Sequence, residues 1–150
     1  MPFALEQLTQ ALTVLAKLDP VSQGTGTTQP MTDIDIKLVR RLLIVLQIGS
    51  VGGAGTVDAK LRASKTSGGT YTDITGGAIT QVTTSNKVVT LEVRDDQLES
   101  IVGAGYRYAQ LSLTIGGNSV LVGGVALGGE AEYKPAKAND IAAVIQRLVV

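Results

Sequence analysis

Residues 106–127, YRYAQLSLTIGGNSVLVGGVAL, decide the fold. The first half alternates: Ala109, Leu111, Leu113 and Ile115 against Gln110, Ser112 and Thr114. A period of two is the mark of a half-buried strand. Gly116-Gly117-Asn118 then reads as a hairpin turn, with Ser119 to Leu127 returning antiparallel.

The same signals extend upstream. Arg40 to Ile48, RRLLIVLQI, is a continuous aliphatic run, which predicts a central strand covered on both faces. Thr56 to Ser64 places Val57, Ala59, Leu61 and Ala63 on one side. Shorter strands are expected over Asp33–Leu38, Thr70–Ile74, Ala78–Val82 and Lys87–Arg94, with glycine-rich turns between them. Asp95 to Glu99 reads as a helical turn or loop. About eight short strands separated by turn residues predict an all-β, antiparallel β-sandwich or jelly-roll-like fold. Aromatic residues make up 3% of the chain, so aliphatic side chains must fill the space between the sheets.

The two ends read differently. Leu5, Leu8, Leu12 and Leu15 are spaced three, four and three apart, the a/d rhythm of a helix, and predict an amphipathic helix over residues 3–18. Asp19-Pro20 would stop it. Residues 20–30, PVSQGTGTTQP, read as a linker with nothing to bury. Residues 130–138 read as a second linker, containing Pro135. Asn139 or Asp140 could cap a short terminal helix with Ile141, Val144, Ile145 and Leu148 on one face. The expected organisation is an N-terminal arm and linker (1–30), a sandwich (31–129) and a C-terminal linker and arm (130–150). Apolar arms of this kind must dock on their own domain, on a symmetry mate or on another protein.

Composition narrows the chemistry. The chain of 150 residues has no histidine and no cysteine. That removes Ser-His-Asp and Cys-His hydrolysis, thiolate chemistry, disulfides and the usual zinc ligand sets. Carboxylate-only chemistry, such as glycoside hydrolysis or calcium binding, stays open. Thirteen basic residues balance thirteen acidic ones, which argues against nucleic acid as a main partner and gives little colloidal repulsion. No run of about 18 apolar residues marks a membrane span. The N-terminus lacks the basic region of a secretory signal, so the protein is expected to act where it is made or to leave by lysis.

Three motifs were weighed against plainer readings. GSVGGAG, residues 49–55, lacks the Lys-Ser/Thr of a phosphate loop and opens a strand, so it reads as a turn. Glu92, Asp95, Asp96 and Glu99 lack the ordered spacing of a calcium loop and read as solvated acids. Tyr106 and Tyr108, two apart on an expected strand, would share one side. They suit a subunit interface, or less readily a stacking platform for sugar or single-stranded nucleic acid.

The strand pattern also resembles a known group, the small virion structural proteins of tailed phages. The resemblance rests on the aliphatic strand Leu42–Ile48, the glycine loop Gly49–Gly55 and the Thr-Val-Asp-Ala-Lys-Leu strand Thr56–Leu61. It continues through the Gly-Thr-Tyr-Thr-Asp-Ile segment Gly69–Ile74, the Gly-Tyr-Arg-Tyr strand Gly105–Tyr108 and the segments ALTVLAKLDP and ALGGEAEY. It implies a capsid decoration, or cement, protein on the outer shell. Such a protein is made in the host cytoplasm, binds the major capsid protein, and associates with itself as a homotrimer. A tail or head–tail connector subunit and a carbohydrate-binding attachment module are the alternatives. The expectation is a non-enzyme with no cofactor, metal, small-molecule substrate, nucleic acid or membrane partner. The residues expected to carry its contacts are Leu5, Leu8, Leu12, Leu15, Tyr106, Tyr108, Ile141, Val144, Ile145 and Leu148.

Overall fold

A computed structural model describes residues 7–131 and 136–149. Leu5 and Pro135 therefore lie outside the described residues. Eight strands form two four-stranded antiparallel sheets. In chain order they are β1 (Leu12–Gln23), β2 (Gly26–Asp35), β3 (Arg41–Val51), β4 (Thr56–Ser64), β5 (Thr72–Ala78), β6 (Lys87–Arg94), β7 (Tyr108–Gly116) and β8 (Val120–Gly129). The first sheet has the order β1-β8-β3-β6 and the second β2-β7-β4-β5. Strand 1 pairs with 8, 2 with 7, 3 with 6 and 4 with 5. That is one long hairpin rolled over itself, closed by β3–β8 and β4–β7 ladders. It is the topology of a jelly roll.

Alternation builds the core. Leu42, Ile44, Leu46 and Ile48 of β3 are fully buried and face Val57, Leu61, Leu111 and Leu113 of the second sheet. A short helix, α2 (Asp95–Ile101), follows β6 and buries Leu98 against one end of this core. Its acids are engaged: Lys37 Nζ donates to Asp95 and Glu99, and Arg94 pairs with Asp96.

Three expectations are corrected, the first being the N-terminal arm and linker taken together. Among the described residues, the helix expected over 3–18 is present only as α1, Leu8–Ala11, and Leu12 and Leu15 lie in β1. The expected linker 20–30 is mostly strand, the end of β1 and the start of β2. The physical reason is that β8 needs a partner along its outer edge. A ladder from Leu12–Gly129 to Gln23–Val120 satisfies backbone groups that an isolated short helix would leave in water's competition. Pro20 and Pro30 fit because β1 and β2 are edge strands, where a missing N–H is tolerated.

The second correction concerns Gly116-Gly117-Asn118. It is no hairpin within a sheet, since β7 and β8 lie in opposite sheets and the turn carries the chain across. Gly117 has φ +71, and a Cβ there would come within 1.8 Å of the Ala54 carbonyl oxygen. Only glycine fits that crossing. The third correction is that the expected strands 70–74 and 78–82 are one strand, β5, with Val82 making only an isolated bridge to Val57.

Candidate interaction surface

The outer faces of the two sheets have opposite chemistry. On the second sheet, outward side chains bond one another. Arg62 donates to Asp73, to Gln110 and to the Tyr71 carbonyl, and Lys60 also pairs with Asp73. Gln110 donates to Thr32, Gln81 to Asp58, and Thr27 and Thr114 share a hydrogen bond. Lys60 and Arg62, in that order of weight, hold the Asp73 carboxyl below its usual range.

The first sheet instead presents an apolar strip along the middle of its outer face, flanked by the exposed Arg41, Gln47, Thr90, Glu92 and Arg94. Alternation that sends Ile44 and Leu46 inward sends Leu43 and Val45 outward, and register sets Leu127 and Val125 beside them. Leu121 and Val125 are 44% and 37% exposed. Val88 of β6, opposite Gln47, is 61% exposed. Between β1, β8 and β3 this face sinks into a groove of about 560 Å³, walled by Pro20, Val45, Leu121 and Val125. Its floor is open because Gly123 carries no side chain; a Cβ there would lie 3.2 Å from Pro20. The rim charges, Lys17 and Asp19, pair with each other. The aliphatic run of β3 is thus central, as expected, but covered on one face only.

The described C-terminal segment meets the start of β1. Ala136–Asn139 forms one turn of 3-10 helix beside α1 and β1. Asp140 is then fixed by four hydrogen bonds. It accepts from Thr13 Oγ1 at 2.9 Å, from the Val14 amide at 2.8 Å, and from Arg147 Nε and Nη2 at 2.6 Å each. Arg147 also donates to the Leu12 carbonyl, and the Ile141 amide to the Val14 carbonyl. Burial would raise the Asp140 carboxyl, but Arg147, the Val14 amide and Thr13 outweigh it and hold the group below its ordinary range. The Arg147 guanidinium is raised in turn, chiefly by its bond to Asp140.

This latch replaces the expected terminal helix: the Asp140 carboxylate is spent on β1 rather than on capping. After it, Ile141 to Val149 forms no helix. Ile141 and Val144 are partly covered, whereas Ile145 is 95% exposed and Leu148 80%. Leu8 on α1 is 74% exposed, while Leu12 and Leu15 are half-buried and Leu15 packs against Val39 and Ala136. The C-terminal segment is therefore tied to the start of β1, with Ala136–Asn139 beside α1. Sequence spacing carried no sign of that convergence.

Tyr106 and Tyr108 do not form the shared strand face expected of them. Tyr106 precedes β7, packs against the core edge and lies under Lys65, 5.3 Å from Nζ to ring centre. Tyr108 opens β7 with the Arg107 guanidinium 5.5 Å from its ring. Arg107 also binds Asp35 through two hydrogen bonds, which lower that carboxyl. Asp33 accepts from Gly68 N–H and the Tyr71 hydroxyl. Among the described residues no group of three or more acids, histidines or cysteines is placed to hold a metal ion. No helix there is long and apolar enough to cross a membrane.

No family model matches the chain, and no curated protein matches it either. Among solved structures, it is similar to a chain in the structure of infectious bursal disease virus Gt strain, at 11% identity and a TM-score of 0.45. That likeness covers 84% of this chain and 34% of the viral chain, so the present sequence spans about a third of its length.

Proposed function

We propose that this chain is a virion structural protein, and specifically a capsid decoration protein that cements the assembled head of a tailed phage. The observation that carries the reading is the asymmetry of the sandwich. One outer face is closed by its own polar bonds, and the other carries an uncovered aliphatic strip between polar and charged flanks. Monomeric proteins rarely leave a contiguous apolar face of this kind in water, so it calls for a protein partner. The exposed Leu8, Ile145 and Leu148 add a second adhesive patch at the joined ends. The phage resemblance supplies the identity of the partner, the major capsid protein, and the location, the virion surface. Jelly rolls also serve in unrelated roles, so the fold by itself names no function.

In this reading the protein works without catalysis, cofactor or metal. It stabilises the shell by mass action, because it binds the finished lattice and not the free subunit. Several weak contacts per assembly add through effective concentration.

The test is decoration. Purified protein is added to phage heads lacking it, and bound copies are counted after sedimentation. Binding that saturates at many copies per shell, and is lost in Val45→Lys with Val125→Lys, supports cement. A few copies at one vertex indicate a connector instead. Heads that bind none, at protein concentrations well above those in an infected cell, end the proposal.

A further inference from the structure

The first-sheet groove and the exposed terminal corner fit each other, and we propose that they do so between molecules: the C-terminal segment of one copy docks in the outer groove of the next. This deepens the adhesive reading above by naming one partner as a second copy of this chain.

Three observations choose that occupant. The described residues contain ten large hydrophobic side chains counted as exposed. Two of them, Leu121 and Val125, line the groove, four lie on α1 or in the C-terminal segment (Leu8, Ile145, Leu148 and Val149), and Val21, Leu38, Val88 and Ile101 lie elsewhere. The molecule thus carries one uncovered apolar receptor and one uncovered apolar ligand. Second, charge matches. The groove lining holds one charge of each sign, Lys17 and Asp19, which pair with each other, and Ile141 to Gln146 bears no charge. A charged occupant would lose hydration there without compensation.

Third, the molecule cannot serve itself. Asp140 and Arg147 tie the segment to the Leu12–Val14 end of β1. The middle of the groove lies beside Leu18 to Pro20, about 20 Å further along at the rise of a strand. Ile145 is two residues from Arg147, a reach of about 7 Å. Its own groove is therefore closed to it while the latch holds, and a neighbour's is not. The latch in turn pre-orders the segment, which lowers the entropy lost on docking.

Such a contact is heterologous: a different surface is used on each partner. It closes into a ring where its rotation allows and otherwise propagates. That asymmetry gives a decisive test by complementation. Ile145→Asp with Leu148→Asp removes the ligand, and Val45→Lys with Val125→Lys removes the receptor. Each is analysed alone and mixed by sedimentation velocity, with circular dichroism melts to show folding. The expectation is that wild-type protein is a concentration-dependent oligomer, each variant alone is a monomer, and the equimolar mixture forms dimers and nothing larger. Wild-type protein that stays monomeric at millimolar concentration overturns the proposal. So does a ligand-less variant that still self-associates, which would mean the apolar faces pack on each other. Should the receptor variant fail to fold, a synthetic peptide of residues 139–149 is titrated into the ligand-less variant. Amide shifts at Gly49, Gly123 and Gly124 are expected, and their absence at saturating peptide overturns the idea. These outcomes use purified protein, so their failure is distinct from failure to decorate heads.

Discussion

Removing the Asp140 carboxylate is the sharpest probe of the terminal corner. In Asp140→Ala the Val14 amide, the Thr13 hydroxyl and the Arg147 guanidinium lose their acceptor together. Breaking a fully buried charge pair costs about 3–5 kcal/mol. Here the side chains keep 12% and 21% of their exposure, so water recovers part of that loss. A cost of about 2 kcal/mol is the appropriate scale, close to that of one or two hydrogen bonds to a charged group. The segment adds little to the main core, so the cost should appear as local opening and not as global unfolding. At 1.4 kcal/mol per decade, the opening equilibrium rises roughly thirtyfold. Hydrogen exchange resolved at single amides reads this directly. The Ile141 amide, bonded to the Val14 carbonyl at 3.0 Å, should exchange about thirty times faster, while the amides of β3 are unchanged. Arg147→Lys should fall between, since it keeps the charge and loses the two-pronged geometry. An Ile141 exchange rate within threefold of wild type would refute the latch as the element that holds the segment.

Acid should loosen the same corner and, separately, the Arg107–Asp35 pair at the end of β2. Asp140 and Asp35 have depressed folded pKa values, so their contributions are fully present above the unfolded value of about 4 and are lost as pH falls through the folded values. Stability measured from pH 6 down to 2 should be flat and then decline, and a decline beginning at pH 6 would contradict it. Leu111→Ala, at a site with no solvent exposure between the sheets, should cost about 2–5 kcal/mol in urea titration. Gly117→Ala must shift the Ala54 carbonyl and adopt a left-handed backbone, and should cost at least about 2 kcal/mol. A melting temperature equal to wild type would show that the crossing can relax.

The body of the sandwich was legible because its strands keep strict alternation where only one face is buried. Val57 to Ala63 and Ala109 to Ile115 read correctly for that reason. The topology was not legible. A Gly-Gly-Asn turn between two apolar runs looks the same whether it joins neighbours in one sheet or carries the chain between two. Strand β1 was hidden by its own irregularity. Register shifts at Val14/Ala16 and Leu18/Val21 break the period of two, and the apolar residues then fall at spacings close to those of a helix turn. Glycine and proline in residues 20–30 looked like linker and instead blunt the free edges of two sheets. At the candidate site, Ile145 and Leu148 were readable as apolar. Their placement near the start of β1 depended on Asp140 reaching that strand, a contact between residues 126 and 127 positions apart.

The most informative mismatch is the run Leu42 to Leu46. Unbroken aliphatic sequence in a strand ordinarily means that both of its faces are covered. The fold covers the face of Leu42, Ile44 and Leu46, and leaves Leu43 and Val45 on the outside. A strand facing water on that side gains nothing from branched aliphatic residues there and incurs the risk of aggregation that large exposed apolar patches bring. On the proposed docking, a second cover supplied by another molecule would resolve the conflict, and double burial would then hold for the assembly though not for the isolated chain. Replacing Leu43 and Val45 with threonine separates the two. Threonine suits a strand as well as valine does, so the fold should be retained with a change in stability under about 1 kcal/mol. Association should weaken by at least tenfold, since the two side chains lose roughly 1.5–3 kcal/mol each of burial against a partner. Unaltered association would mean that this face stays wet in the assembly, and the apolar run would then lack a physical reason.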